Sequence, residues 1–208
     1  MTDQQYLWYL VINALVAFGT IGAVVVAVGQ ALRVKFWPPK LKVSLLNTVG
    51  EKVPYFTDPH NQQLHDARYY HLAVRNERRW SPATGVSLYL TRIDEPGPDG
   101  NPQTKWSGDI PIRCRHQELY PLTREIGSPI HYDLCCISKD PRALSLMPIL
   151  VPTNLPLKRT TACTFIALFQ ARSAQSDSDV APVQIAWDGK WEDGDREMQD
   201  HLKIKTLA

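Results

Sequence analysis

Cysteine, histidine and paired aspartates are the residues of this chain whose types could do chemistry, and Cys114, His116, Cys135 and Cys136 come first. Thiolates and imidazoles are the ligands zinc takes, and on an extended strand Cys114 and His116 would share one face. Structural zinc usually takes ligand pairs two to four residues apart, a spacing that adjacent Cys135 and Cys136 do not supply. The group therefore reads as small buried hydrophobes beside a surface histidine. His116-Gln117-Glu118 has the H-x-E form of a zinc deaminase, but the Pro-Cys-x-x-Cys that must follow is missing. Asp177 with Asp179, and Asp193 with Asp195, lack the rest of a calcium loop and read as solvated acids. The sequence has no Gly-rich phosphate loop, no G-x-S-x-G and no H-E-x-x-H. No catalytic residue, cofactor or metal is expected; His116 and His201 are the histidines to inspect.

Two short strings are candidates for binding. In Trp187-Asp188-Gly189-Lys190-Trp191 an Asp-Gly turn would bring two indoles near each other. They would cap a core or, alternatively, present an aromatic surface to a partner. In Arg75-Asn76-Glu77-Arg78-Arg79 a turn carries three guanidinium groups, with Arg78 and Arg79 the candidates to meet a phosphate-bearing ligand. Solvated turn charges are the ordinary reading. The net charge of +2 argues against a nucleic-acid partner.

An N-terminal element must position everything that follows. No charged side chain lies between Asp3 and Arg33, and Tyr6–Leu32 holds 13 Leu, Ile, Val and Phe residues. A helix of those 27 residues would reach about 40 Å, against a hydrocarbon core of about 30 Å. Tyr6, Trp8 and Tyr9 form one aromatic belt, Phe36 and Trp37 the other, and Pro38 and Pro39 stop the helix. A cleaved signal peptide fits poorly, because Met1–Gln5 has no basic residue and the apolar stretch is too long. The expected layout is a tail over 1–5, a transmembrane helix over 6–32, a juxtamembrane linker over 33–40 and a β domain over 41–208.

The flanking charges set an orientation. Arg33, Lys35, Lys40 and Lys42 all follow the span and no basic residue precedes it. The positive-inside rule then puts the N-terminus outside and the domain in the cytoplasm. The four cysteines show no disulfide framework, which agrees with a reducing compartment. The basic cluster after the span is expected to meet anionic headgroups. Gly19, Ala23, Ala27 and Ala31 recur every four residues, a small-residue stripe along which two helices could pack in lipid.

Beyond Pro39 the pattern changes from continuous to alternating. Leu41, Val43 and Leu45 alternate with polar neighbours, as do Tyr70–Val74, Val86–Leu90 and Ile110–Cys114. Ile130–Ile137, Leu144–Val151, Cys163–Ala171, Val183–Trp187 and His201–Thr206 are further strand candidates, and Glu192–Gln199 suits one or two helical turns. The breaks at Asp94–Gly100 and Asp188-Gly189, with 16 prolines and 11 glycines, punctuate short elements. Such a chain folds as an all-β sandwich or, as the alternative, a small barrel.

The block Tyr69–Asn76, a polar turn, then Ala83–Leu90 resembles a strand pair of bacterial immunoglobulin-like, adhesion-type domains. The chain also resembles uncharacterised bacterial proteins with one N-terminal span. The likeness implies an immunoglobulin-like sandwich and no chemistry, since this fold hosts many functions. The expected function is a non-enzymatic interaction or scaffold module held at the membrane, with lipid and a protein as partners. The alternative is a ligand-sensing effector that oligomerises through its helix, similar in layout to bacterial defence effectors.

Overall fold

A computed structural model describes residues 3–56, 64–115, 128–152, 154–155 and 157–207. Helix α1 covers Asp3–Phe36. The strands are β1 (Leu41–Leu45), β2 (Glu51–Phe56), β3 (Leu64–Asn76), β4 (Ser87–Pro96), β5 (Pro102–Pro111), β6 (Ile130–Ser138), β7 (Ala143–Leu146), β8 (Lys158–Arg159), β9 (Cys163–Arg172), β10 (Ala181–Trp187) and β11 (Leu202–Thr206), with helix α2 (Asp195–His201) before the last.

Over Gln4–Gly29, α1 is long and apolar enough to cross a membrane, and none of that window is buried against the rest of the chain. The helix runs on to Phe36, into the stretch expected as linker. Arg33 and Lys35 in its last turn sit where a helix favours positive charge, and Pro38 ends the register.

The strands form two antiparallel sheets. One has the order β1-β3-β6-β7-β8 with β2 also on β3; the other has the order β11-β10-β9-β4-β5. The 13-residue β3 explains the branch: β1 pairs with its Leu72–Asn76 end and β2 with its Leu64–Tyr69 end. Inward positions alternate as a half-buried sheet requires. Tyr70, Leu72 and Val74 from one sheet meet Leu88, Leu90, Phe169 and Ile185 from the other in one core, all at most 2% exposed. This is the sandwich arrangement, two sheets face to face rather than one closed barrel.

The expected strand Ile110–Cys114 is corrected. β5 ends at Pro111, where the chain leaves its sheet and crosses to the other. Ile112 bridges Pro148, Cys114 bridges Tyr132, and Asp133 N donates to Arg113 O at 2.8 Å. Ile112 N still donates to Leu88 O of β4 at 2.8 Å, and beyond it the backbone bonds go to the other sheet. Likewise the expected Leu144–Val151 strand is regular only over Ala143–Leu146, since Pro148 cannot continue the ladder.

Candidate functional site

The junction between α1 and the domain is built of directed hydrogen bonds. Asn76, at the end of β3, is buried, and its Oδ1 accepts from Lys40 N at 3.1 Å and from Arg78 N at 3.0 Å. Its Nδ2 donates to Ser81 O at 2.6 Å. Each carbonyl from Trp37 to Lys40 is then taken up by the domain. Ser81 Oγ donates to Trp37 O, Arg78 Nη1 to Pro38 O, Ser176 Oγ to Pro39 O and Glu77 N to Lys40 O, all within 2.9 Å. Prolines 38 and 39 fix their own backbone, so the connection is short, stiff and bonded on every residue. Above it, the Arg33 guanidinium lies 4.7 Å from the centre of the Trp80 ring, within cation–π range.

This end is basic. Lys42 and Arg75 face each other across β1 and β3 on the outer side of the sheet. Directly opposed like charges repel. Glu77 relieves part of this, with Lys40 Nζ at 2.9 Å and Lys42 Nζ at 3.5 Å. The Lys40 ammonium, and then Lys42, hold the Glu77 carboxyl below its ordinary range. A cleft of about 520 Å³ opens here, lined by Lys42, Ser44, Arg75, Glu77, Arg79 and Ser128. Arg78 is thus committed to the linker, while Arg79 is exposed beside the cleft.

At the other end of β3 the tryptophan string is a clasp. Trp187 and Trp191 are only 2% and 8% exposed, so they cap the core and do not present an aromatic surface. Gly189, at φ +88°, makes the turn, Asp188 Oδ1 accepts from Lys190 N, and Trp187 Nε1 donates to Lys190 O at 2.8 Å. Arg68, 1% exposed, reaches across to this segment. Its guanidinium contacts Asp195 Oδ1 and Asp193 O, each at 2.6 Å, and lies 5.9 Å from the Trp191 ring. Lys139 and Lys52 both bind Asp193 at 2.8 Å and hold its carboxyl well below the usual carboxylate range. Asp193 and Asp195, weighed above as calcium ligands, are therefore engaged by basic side chains.

A cluster that the sequence did not single out lies on the outer face of β3 and β6. His71, 3% exposed, has Nδ1 3.0 Å from Asp133 Oδ1 and Nε2 3.6 Å from Glu51 Oε2. Neither ring nitrogen is aligned for a hydrogen bond among the described residues, although the separation to Asp133 is short enough for one. Arg115 pairs with Glu51 on the far side. The imidazole thus has a carboxylate near each nitrogen, and among the described residues its second nitrogen faces Glu51 rather than a nucleophile.

The remaining candidates fall apart in space or lie elsewhere. Among the described residues no group of three or more His, Cys, Asp or Glu is placed to hold a metal ion. His116 lies outside the described residues. Cys114 Sγ faces His131 O at 3.4 Å, whereas Cys135 and Cys136 are buried in β6. His201 Nδ1 sits 2.7 Å from Asp188 Oδ2, tying α2 to the Asp-Gly turn. Asp177 bridges Arg172. Gly19, Ala23 and Ala27 are exposed along α1, and the side chain of Ala31 lies outside the described residues. Compared with family models, curated proteins and solved structures, the chain matches none of them.

Burial pushes the Cys136 thiol up to about 11 and the Cys135 thiol well above its ordinary value. Thiolate is the reactive form, so both should react with a disulfide reagent at pH 8 at least about a hundredfold more slowly in the native chain than in denaturant. Fast reaction of either in the native state, followed by mass spectrometry, would contradict their placement in the sheet.

Proposed function

We propose that this chain is a single-pass membrane protein whose immunoglobulin-like β domain lies in the cytoplasm and serves as a non-enzymatic interaction or scaffold module. The observation that carries the reading is an α1 whose apolar length no part of the domain covers, joined to the domain by a bonded linker. Such a helix needs lipid, and such a linker holds a recognition surface at a set height over it. Orientation rests on Arg33, Lys35, Lys40 and Lys42 following the span.

A protein partner has a surface to meet. Leu150 and Val151, 67% and 70% exposed, follow Ile149, whose N–H donates to Pro111 O at the end of edge strand β5. Ten residues of strand edge beside an exposed apolar pair suit a partner's strand or loop. The test uses the full chain in its own cells. A C-terminal tag should resist an impermeant reagent until the cells are opened, and a photocrosslinker at Val151 should capture protein where one at Asn101 does not. Labelling of intact cells would overturn the orientation, and equal capture at both sites would overturn the partner surface.

The exposed Gly19, Ala23 and Ala27 favour a second reading, an effector that senses a ligand and assembles through its helix. It requires helix-to-helix crosslinks in membranes that vanish when Gly19 and Ala23 become Leu; a monomeric wild type would remove it.

A further inference from the structure

We propose that the linker end of the β domain is itself a lipid surface: Trp80 and the Lys42–Arg75–Arg79 cleft rest on the headgroups of anionic phospholipid. The inference rests on reading α1 as a membrane anchor and fixes how the domain sits on that membrane.

Depth comes from the helix. The apolar window ends at Gly29, and Arg33 follows about 6 Å further along the axis, inside the headgroup layer that borders the hydrocarbon. Trp80 is packed on Arg33 and so lies at the same depth, although it belongs to the domain. Its ring is 46% exposed and closes a groove over Gly29, Leu32, Arg33 and Trp37. Tryptophan with one side apolar and one side wet is the residue that interfaces favour. Tilt cannot carry Trp80 away independently, because Ser81 and Arg78 are bonded to Trp37 and Pro38.

Charge comes from the cleft. Lys42 and Arg75 are held in opposition on a sheet face, and Arg79 stands beside them. Glu77 is the acid in the cleft wall, and it is shared between Lys40 and Lys42. Among the described residues, Asp179 lies in a neighbouring cleft with Lys40 and Val180, and exposed Asp177 follows Ser176 on the same loop. A phosphate would relieve the Lys42–Arg75 repulsion that the sheet imposes. Val180, 46% exposed in that second cleft, adds apolar surface at the same end. The hairpin between β4 and β5 lies at the far end of the sandwich and serves as the internal control.

The test is hydrogen exchange on the full chain in nanodiscs of phosphatidylcholine, with and without phosphatidylserine. Amides of Arg79 and Trp80 should slow by about tenfold or more in the anionic discs, the factor that one or two lipid-paired basic side chains supply. Amides of 97–101 should not change. The R75Q/R79Q variant should lose most of the difference, and Trp80→Ala should lower protection in both lipids; both substitute exposed side chains. Protection of α1 with equal exchange at 79–80 in the two lipids would overturn this proposal and leave the anchor standing. Free exchange along Gln4–Gly29 would overturn the anchor and this proposal with it. Slowing by inorganic phosphate in neutral discs would assign the cleft to a soluble anion instead.

Discussion

Replacing Asp195 with alanine is expected to destabilise the domain by about 2–3 kcal/mol, whereas Arg68→Met is expected to cost about 1 kcal/mol. The asymmetry follows from which partner is buried. Arg68 is 1% exposed, and Asp195, its ion-pair partner, is 69% exposed. Among the described residues, removing Asp195 leaves a buried guanidinium with carbonyl oxygens from Asp193 and Val49, the Trp191 ring, and an Nε without a hydrogen-bond partner. Removing the charge from Arg68 leaves Asp195 in water, where it needs no partner, and methionine refills most of the volume against Trp191. The exposure of Asp195 keeps the first figure below that of a wholly buried pair. Urea unfolding of the full chain, followed by far-ultraviolet circular dichroism in detergent, measures both. An Arg68→Met variant as destabilised as Asp195→Ala would mean that packing, not charge, holds the clasp.

Asn76→Ala should be the most damaging single change at the other end, at about 3 kcal/mol or more. One side chain there satisfies three backbone groups: Lys40 N–H, Arg78 N–H and Ser81 C=O. Alanine leaves them without a partner at a site that is 7% exposed. The loss should be local as well as global. Amides of 38–41 and 76–81 should exchange faster at a given stability than those of β9, which pairs on both sides with β4 and β10. Uniform acceleration throughout the domain would show that Asn76 is an ordinary core contact and not the pin of the linker.

Alternation made much of the sandwich legible. β1, β3, β9, β10 and β11 carry inward apolar residues at every second position, and β4 and β6 do so up to Leu90 and Leu134; the starts of these strands agree with the expected ones to within a residue or two, apart from β3, which begins six residues before its expected start. β2 was hidden because Glu51-Lys52-Val53-Pro54 has neither alternation nor a free donor at its proline. The crossing at Ile112–Arg115 keeps its period of two while changing sheets, so period alone cannot reveal it. Arg68 looked like any charged residue beside a strand; only the segment 127 positions later shows why it is buried. Trp80 was equally silent, since its partner Arg33 lies on the helix, and nothing in the turn after Asn76 shows that its side chain also reaches back to Lys40. Trp187 and Trp191 were visible as a pair, and their burial selects the core-capping alternative.

The bonded linker also makes the molecule a lever. A helix turning about its own axis advances about 100° for each residue of register. With Trp37, Pro38, Pro39 and Lys40 all fastened to the sandwich, that rotation passes to the domain without slack. A change of one residue in how α1 meets a neighbouring helix would swing the open edge of β5 through more than a quarter turn around the axis of α1. A junction bonded in this way is suited to pass on torque rather than to set tether length.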